Sequence, residues 1–320
     1  MRCPAWAEIP GERGSAFIDG VGIGRPDPRI NPLAGAHHLL SQFDDQSGEP
    51  LPGGCFLSVD ATFGVPGRPQ SASNQTALLT GKPAPALIGK HVLGYPNAAL
   101  RSLLEKHSIV KRMVDSGRSA TFANCYPAGY LDALKLFRPS TATLDVTIPT
   151  AAARRLRPSA TTVAMTAAGV GLRTFDDARA GRGLTNDIDG SFANARGFKL
   201  PRRTPREAAE IFWELAFPVD FALFEHYLAD EAGHARDFER ARTVLGTFDR
   251  FCRAVVALRP KGAHLLICSD HGNVEDLSSR NHTLNRIPIL SFSDSPGPAP
   301  ELESLSDLGQ FILGALGVEG

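Results

Sequence analysis

His264-Leu265-Leu266-Ile267-Cys268, followed by Ser269-Asp270-His271-Gly272-Asn273, is an apolar run that breaks off into metal-ligating and turn-forming residue types. A short apolar run bounded by turn residues reads as a buried strand. Similar runs occur at Ser15–Ile18, Cys55–Val59, Ala120–Asn124, Val219–Glu225 and Ile287–Phe292. Helical patterns lie between them. Asn97–Ser108 carries Leu100, Leu103 and Leu104 on one face, and Asp237–Leu258 is long and charged on one side. Leu305–Leu316 closes the series. Thr204-Pro205-Arg206-Glu207 has the form of a capping box with proline at the first helical position, so a helix is predicted over Thr204–Leu215. Strands alternating with helices predict an α/β fold, with a mainly parallel central sheet flanked by helices.

In such sheets functional groups gather beyond the carboxyl ends of the strands. The first strand runs into Asp19-Gly20-Val21-Gly22-Ile23-Gly24. The strand ending at Glu225 is followed by Asp230-Glu231-Ala232-Gly233-His234. Asp270-His271 follows the strand quoted above, and His282-Thr283-Leu284-Asn285 precedes the last one. Taken singly, Asp19 is a turn residue, Asp230 and His234 are a solvated i, i+4 pair, and His282 is a loop histidine. Together they bring three aspartates and three histidines to one edge, the donor set that Zn²⁺ or Mn²⁺ requires. Asp270 and His271 are adjacent and would point apart on a regular strand; Gly272 is expected to permit the turn that brings both to one centre. The glycines at 20, 22 and 24 do not make a dinucleotide fingerprint. The third comes one residue early, and Arg25-Pro26-Asp27-Pro28 cannot continue a helix.

The chain's 320 residues carry 34 Lys+Arg against 34 Asp+Glu, and 42% are hydrophobic. That apolar content excludes a wholly disordered chain. The charge balance argues against broad binding to nucleic acid or to an anionic membrane. No apolar run reaches the ~18 residues of a membrane span. Met1–Arg13 lacks the apolar core of a signal peptide. Five cysteines without CxxC spacing disfavour a disulfide framework and a cysteine-held metal. A cytoplasmic location is therefore expected, with any metal held by His, Asp and Glu.

The candidate nucleophile lies in Gln70-Ser71-Ala72-Ser73-Asn74-Gln75, a polar turn expected to run into a short helix ending at Gly81. Ser71 at the helix start would face the positive end of the dipole; a serine there also serves simply as a cap. The stretch 126–203 is rich in Ala, Gly, Arg and Thr with weak periodicity. It is expected to be a lid or cap between two core segments, 1–125 and 204–320, or else a set of ordinary connections. Arg154, Arg155, Arg157, Arg173, Arg179 and Arg182 give it positive charge that would suit an anionic substrate.

Ser269-Asp270-His271-Gly272-Asn273-Val274-Glu275, followed by His282-Thr283-Leu284-Asn285-Arg286-Ile287-Pro288, resembles the C-terminal metal motif of the alkaline phosphatase superfamily. It is most similar to the branch of cofactor-independent phosphoglycerate mutases and related metalloenzymes. Asp230-x-x-x-His234 resembles the D-x-x-x-H motif of that family. Asp19 stands where its N-terminal aspartate ligand does, and Ser71, nine residues before Thr80-Gly81, has the spacing of its nucleophile.

The resemblance implies two divalent transition-metal ions, zinc or manganese. Asp19, Ser71, Asp270 and His271 would hold one, and Asp230, His234 and His282 the other. It implies attack by Ser71 on the phosphorus of a small phosphorylated substrate, giving a phosphoserine that water then hydrolyses. Lys90, His91 and Arg101 would be near enough to touch the phosphate, or would be solvated surface. No cysteine-based sulfatase maturation signal surrounds Ser71, and serine rather than threonine leans toward monoesters over diesters. The mutases carry a large inserted domain, whereas only 158 residues separate Ser71 from Asp230. The expected activity is therefore a two-metal phosphomonoesterase. The alternatives are a phosphomutase, a phosphodiesterase, and a catalytically inert binding module on the same fold.

Overall fold

The computed structural model describes residues 13–135, 157–294 and 301–318. Six strands form the main sheet: β1 Arg13–Ile18, β2 Gly54–Val59, β3 Ala120–Phe122, β6 Phe221–His226, β7 His264–Ser269 and β8 Ile287–Phe292. Their order is β2-β8-β7-β1-β6-β3. β1, β3, β6 and β7 pair in parallel, while β8 runs antiparallel to both β7 and β2. The expected mainly parallel α/β sheet is what the chain forms. β4 Cys125–Tyr126 and β5 Arg173–Thr174 make a separate two-stranded ladder.

Alternation along the buried strands feeds two cores, one on each face of the sheet. On β7, Leu265 and Ile267 join a cluster with Phe224, Leu290 and Phe292; Leu266 and Cys268 join the opposite one with Phe17, Phe122 and Ile289. The first face is covered by helices over Pro205–Ala216 (α9), Leu228–Ala235 (α10) and Phe238–Ala257 (α11). The second is covered by Ser71–Thr80 (α1), Ala98–His107 (α3), Ile109–Asp115 (α4), Ala160–Ala167 (α6) and Leu305–Ala315 (α12). Shorter helices are α2 Ala84–Ile88, α5 Ala128–Lys135, α7 Phe175–Arg179 and α8 Ser191–Ala195. Among the described residues no helix is long and apolar enough to cross a membrane.

The capping box at α9 forms as the sequence requires. Thr204 Oγ1 accepts from the Glu207 amide at 3.2 Å, and the Glu207 carboxylate accepts from the Thr204 amide at 2.7 Å. Within 126–203, α6 buries Ala160, Val163, Ala164 and Met165 in the second core. Arg154 and Arg155 lie outside the described residues, and Arg157 is exposed. Arg173 donates to the carbonyls of Phe122 and Arg182, while Arg179 and Arg182 pair with Asp176 and Asp177.

One cysteine expectation needs correction. Cys125, Cys252 and Cys268 are free and buried, but Cys55 is disulfide-bonded. An odd cysteine count rules out complete pairing, not a single bridge.

A candidate metal centre at the carboxyl edge of the sheet

Strand register sets the first cluster. Ile18 pairs with Ser269 on one side and His226 on the other, so Asp19 and Asp270 leave the sheet side by side. The Asp19 amide still donates to the His226 carbonyl at 2.8 Å, holding its backbone to the strand. Asp19, Asp270 and His271 are all buried, and they offer ligand atoms lying within 4.8 Å of one another. His271 Nε2 is 3.1 Å from Asp19 Oδ1 and 2.8 Å from Ser71 Oγ. Ser71 is the first residue of α1. Gln70 occupies the cap position without a side-chain cap bond, so Ser71 does not cap the helix and its hydroxyl faces the cluster.

The second cluster is built on α10 and on the turn before β8. Asp230 and His234 share one helix face, with His234 Nε2 3.3 Å from Asp230 Oδ2. His282 Nε2 lies 3.4 Å from Asp230 Oδ1 and 3.1 Å from His234 Nε2. The His282 ring stacks on His271 with centroids 3.8 Å apart, which joins the two clusters. His234 is exposed, so this side of the centre opens to solvent. All seven residues proposed from sequence as ligands or nucleophile thus converge.

The donor chemistry calls for cations. His234 Nδ1 faces the Arg280 carbonyl at 2.8 Å, and His282 Nδ1 faces the Pro69 carbonyl at 2.7 Å. Each Nδ1 therefore carries the proton, which leaves two Nε2 lone pairs turned toward each other and toward Asp230. Three acceptors so arranged repel unless a proton or a metal ion lies among them. Without metal a proton serves: hydrogen bonding to Asp230 raises the pKa of His234. Burial opposes ionisation of Asp230, but its contacts with His234 and His282 outweigh it and hold its pKa far below the usual carboxylate range. In the first cluster, burial and then the neighbouring carboxylates Asp270, Asp230 and Glu225 push Asp19 well above its ordinary value. Asp19 Oδ1 is buried without a hydrogen-bond donor among the described residues.

Several site residues escaped the sequence reading. Gln75, one turn past Ser71, donates Nε2 to Asp270 Oδ2 at 3.0 Å and to Asp19 Oδ2 at 3.3 Å. Asn74 Nδ2 holds the Asp270 carbonyl at 2.9 Å. Their signal was an Asn-Gln pair inside a helix otherwise built of hydroxyl and aliphatic residues. Asn273 Nδ2 donates to Asp230 Oδ1 at 2.6 Å. Arg68 Nη1 donates to the His282 carbonyl at 2.6 Å. Glu225, a lone charge at the end of an apolar strand, is 5% exposed, and its pKa is pushed up to about 7, by burial first and then by Asp270. Of the three substrate candidates, His91 packs beside Gly67 on the loop leading to Ser71. Lys90 is exposed, and Arg101 Nη1 is taken up by the Pro96 carbonyl at 2.9 Å.

The glycines have a packing reason. A Cβ on Gly20 (φ +79°) would meet Asp230 Cβ at 2.7 Å. One on Gly22 or Gly24 would strike the Glu275 side chain, at 2.3 and 2.8 Å. Gly272 corrects the expectation of a special turn. Its φ is not positive, and it is glycine because a Cβ would lie 2.1 Å from Thr283 Oγ1 and 2.2 Å from Glu275 Oε1.

Comparison with known proteins bears on the family and the fold. Residues 213–320 match the family model described as Metalloenzyme superfamily. The whole chain superposes on the alkaline phosphatase of Thermus thermophilus with a TM-score of 0.57 at 12% identity, covering 100% of this chain and 94% of that one. Residues 213–320 thus resemble the metalloenzyme superfamily, and the chain has the alkaline phosphatase fold. Within it, the similarity is to cofactor-independent phosphoglycerate mutases and phosphopentomutases, the branch the sequence motifs resemble. It is 30% identical over 109 residues to the 2,3-bisphosphoglycerate-independent phosphoglycerate mutase of Halobacterium salinarum, covering 31% of this chain and 22% of that protein. It is 36% identical over 91 residues to the phosphopentomutase of Methylobacterium sp. strain 4-46, covering 28% and 22%. The matches therefore span about a fifth of the length of these relatives.

Proposed function

We propose that the protein is a two-metal phosphomonoesterase that works through a phosphoserine on Ser71. The observation that carries the reading is the Ser71 hydroxyl, 2.8 Å from His271 Nε2 at the start of α1 and beside the Asp19–Asp270 carboxylates. Asp19, Ser71, Asp270 and His271 would hold one zinc or manganese ion, and Asp230, His234 and His282 the other. When bound, such ions lower the pKa of a serine hydroxyl or a water and neutralise phosphoryl oxygens. Ser71 Oγ forms the bond to phosphorus as the alcohol leaves. Water then breaks that bond, releasing inorganic phosphate and restoring the serine. No side chain caps α1, so its first backbone N–H groups are available to the phosphoryl oxygens. Gln75 and Asn74 fix Asp270 against recoil, which keeps the carboxylates oriented. The stretch 126–203, outside its core-packing helix α6, is the part proposed to cover the substrate.

A second reading, a phosphomutase, is favoured by the names of the relatives matched over the C-terminal third. Both readings pass through phosphoserine, so the product separates them. Metal-reconstituted protein is incubated with a panel of phosphate mono- and diesters and followed by ³¹P NMR. Free phosphate from monoesters is expected. A positional isomer without free phosphate would establish the mutase. No turnover by protein that carries both ions would return the chain to the binding-module reading.

A further inference from the structure

Glu275 belongs to neither ligand cluster, yet it is 1% exposed and both its oxygens are occupied. Oε2 accepts from the Gly22 amide at 2.9 Å and the Asn273 amide at 2.7 Å. Oε1 accepts from Thr283 Oγ1 at 2.5 Å and Asn285 Nδ2 at 3.0 Å. Each donor sits on a segment that carries cluster residues. Gly22 follows Asp19, Asn273 follows Asp270 and His271, and Thr283 and Asn285 follow His282. Asn273 also reaches α10 through its bond to Asp230. One carboxylate thereby ties together three segments, reaching back 253 residues to Gly22, and the Asn273 side chain links α10 as a fourth. Gly22, Gly24 and Gly272 leave it room to do so, since a Cβ on any of them would strike its side chain.

We infer that Glu275 is a positioning residue that sets the second cluster, Asp230, His234 and His282, against the first. The inference rests on the reading that the two clusters hold metal ions. The clusters do not depend on it equally. Asp19 and Asp270 are placed by strand register, and Gln75 holds both carboxylates. His282 lies on a turn, and Asp230 on a short helix. Their alignment runs through Thr283, Asn285 and Asn273, three of the four groups that Glu275 engages. Outer partners of metal ligands commonly change metal affinity 10- to 100-fold.

The test is a titration of chelator-stripped protein with Mn²⁺ or Zn²⁺ by calorimetry, with bound metal counted by elemental analysis. Asp270→Asn and His282→Ala variants assign each binding step to its cluster. Glu275→Gln turns an amide NH₂ toward two donors. It should weaken the second-cluster step roughly 10- to 100-fold while the first stays within about 3-fold. Should that variant fail to fold, Thr283→Val and Thr283→Ser carry the test. Valine, which lacks the donor, should weaken the same step by roughly 3- to 10-fold, and serine, which keeps it, should not. Equal weakening of both steps together with lowered thermal stability would reduce Glu275 to general scaffolding and overturn the inference. So would two steps unchanged in Glu275→Gln or Thr283→Val. Wild-type protein that binds no metal would overturn both this inference and the phosphatase reading. Wild type that binds two ions while the variants bind them equally well overturns only this one.

Discussion

Gly22→Ala probes the centre without touching any proposed ligand. The new Cβ would lie 2.3 Å from Glu275 Oε1 and 3.0 Å from the Gly272 Cα, against contacts that are ordinarily longer than 3.0 Å. The Gly272 backbone cannot withdraw, because Thr283 N–H donates to its carbonyl at 2.9 Å. The carboxylate must therefore shift by several tenths of an ångström, enough to break bonds of 2.5–2.9 Å. Losing two of its four charge-assisted hydrogen bonds costs roughly 3–6 kcal/mol. At about 2 °C per kcal/mol for a chain this large, the melting temperature should fall by about 6–12 °C. Differential scanning calorimetry of metal-free protein measures this directly. Gly314→Ala is the matched control. That glycine is exposed in the last turn of α12, and no atom lies within 4 Å of the position its methyl would take, so alanine should stabilise by about 0.5–1 kcal/mol. A Gly22→Ala protein that melts within a degree of wild type would refute the packing argument.

Ser71→Ala should lower turnover of a phosphate monoester by roughly 10³-fold or more, because the nucleophile is gone. Ser71 is not a cap, so stability should stay within about 0.5 kcal/mol. Ser73→Ala should do the reverse, keeping turnover while losing about 1 kcal/mol, since Ser73 Oγ accepts from the Val92 amide at 3.1 Å. Steady-state rates showing the opposite pattern would assign the chemistry to Ser73. Glu225 is raised to about 7 from 4.5, so the folded metal-free protein holds a proton there that the unfolded chain releases. Its contribution is complete below pH 4.5 and lost as pH rises to about 7, an order-of-magnitude change of about 3 kcal/mol. Glu225→Gln should flatten that part of the stability–pH curve in urea titrations of chelator-treated protein. An unchanged slope would show that Glu225 does not titrate in this range.

Much of this was legible in the sequence because the chemistry sits at ends of elements. Asp19, Asp270 and His271 follow apolar runs whose boundaries are sharp, and Asp230 with His234 announces a helix face by spacing alone. Thr204 and Glu207 mark α9 because a capping box is a purely local device. Other features depend on contacts across the chain. The reversed direction of β8 follows from what precedes it, a turn that carries His282, and no strand periodicity encodes direction. Glu275 reads as an ordinary charge after a turn until the distant Gly22 amide is seen to meet three nearer donors, from Asn273, Thr283 and Asn285, on it. Gly272 was attributed to backbone freedom, since sequence reveals that a side chain is missing but not which neighbour needs the space. Ser71 was open between cap and nucleophile because one residue of helix phase separates the two roles.

The position of β1 bears on how the chain is made. It is the first described strand to be synthesised, yet it lies between β6 and β7, whose residues come more than 200 positions later. Neither edge of β1 finds its parallel partner until more than 200 further residues have left the ribosome. During that interval an apolar strand with two unsatisfied edges stays exposed, a hazard for nascent chains that pair with one another. Productive expression should therefore depend on chaperone supply and growth temperature more strongly than the stability of the finished protein would suggest.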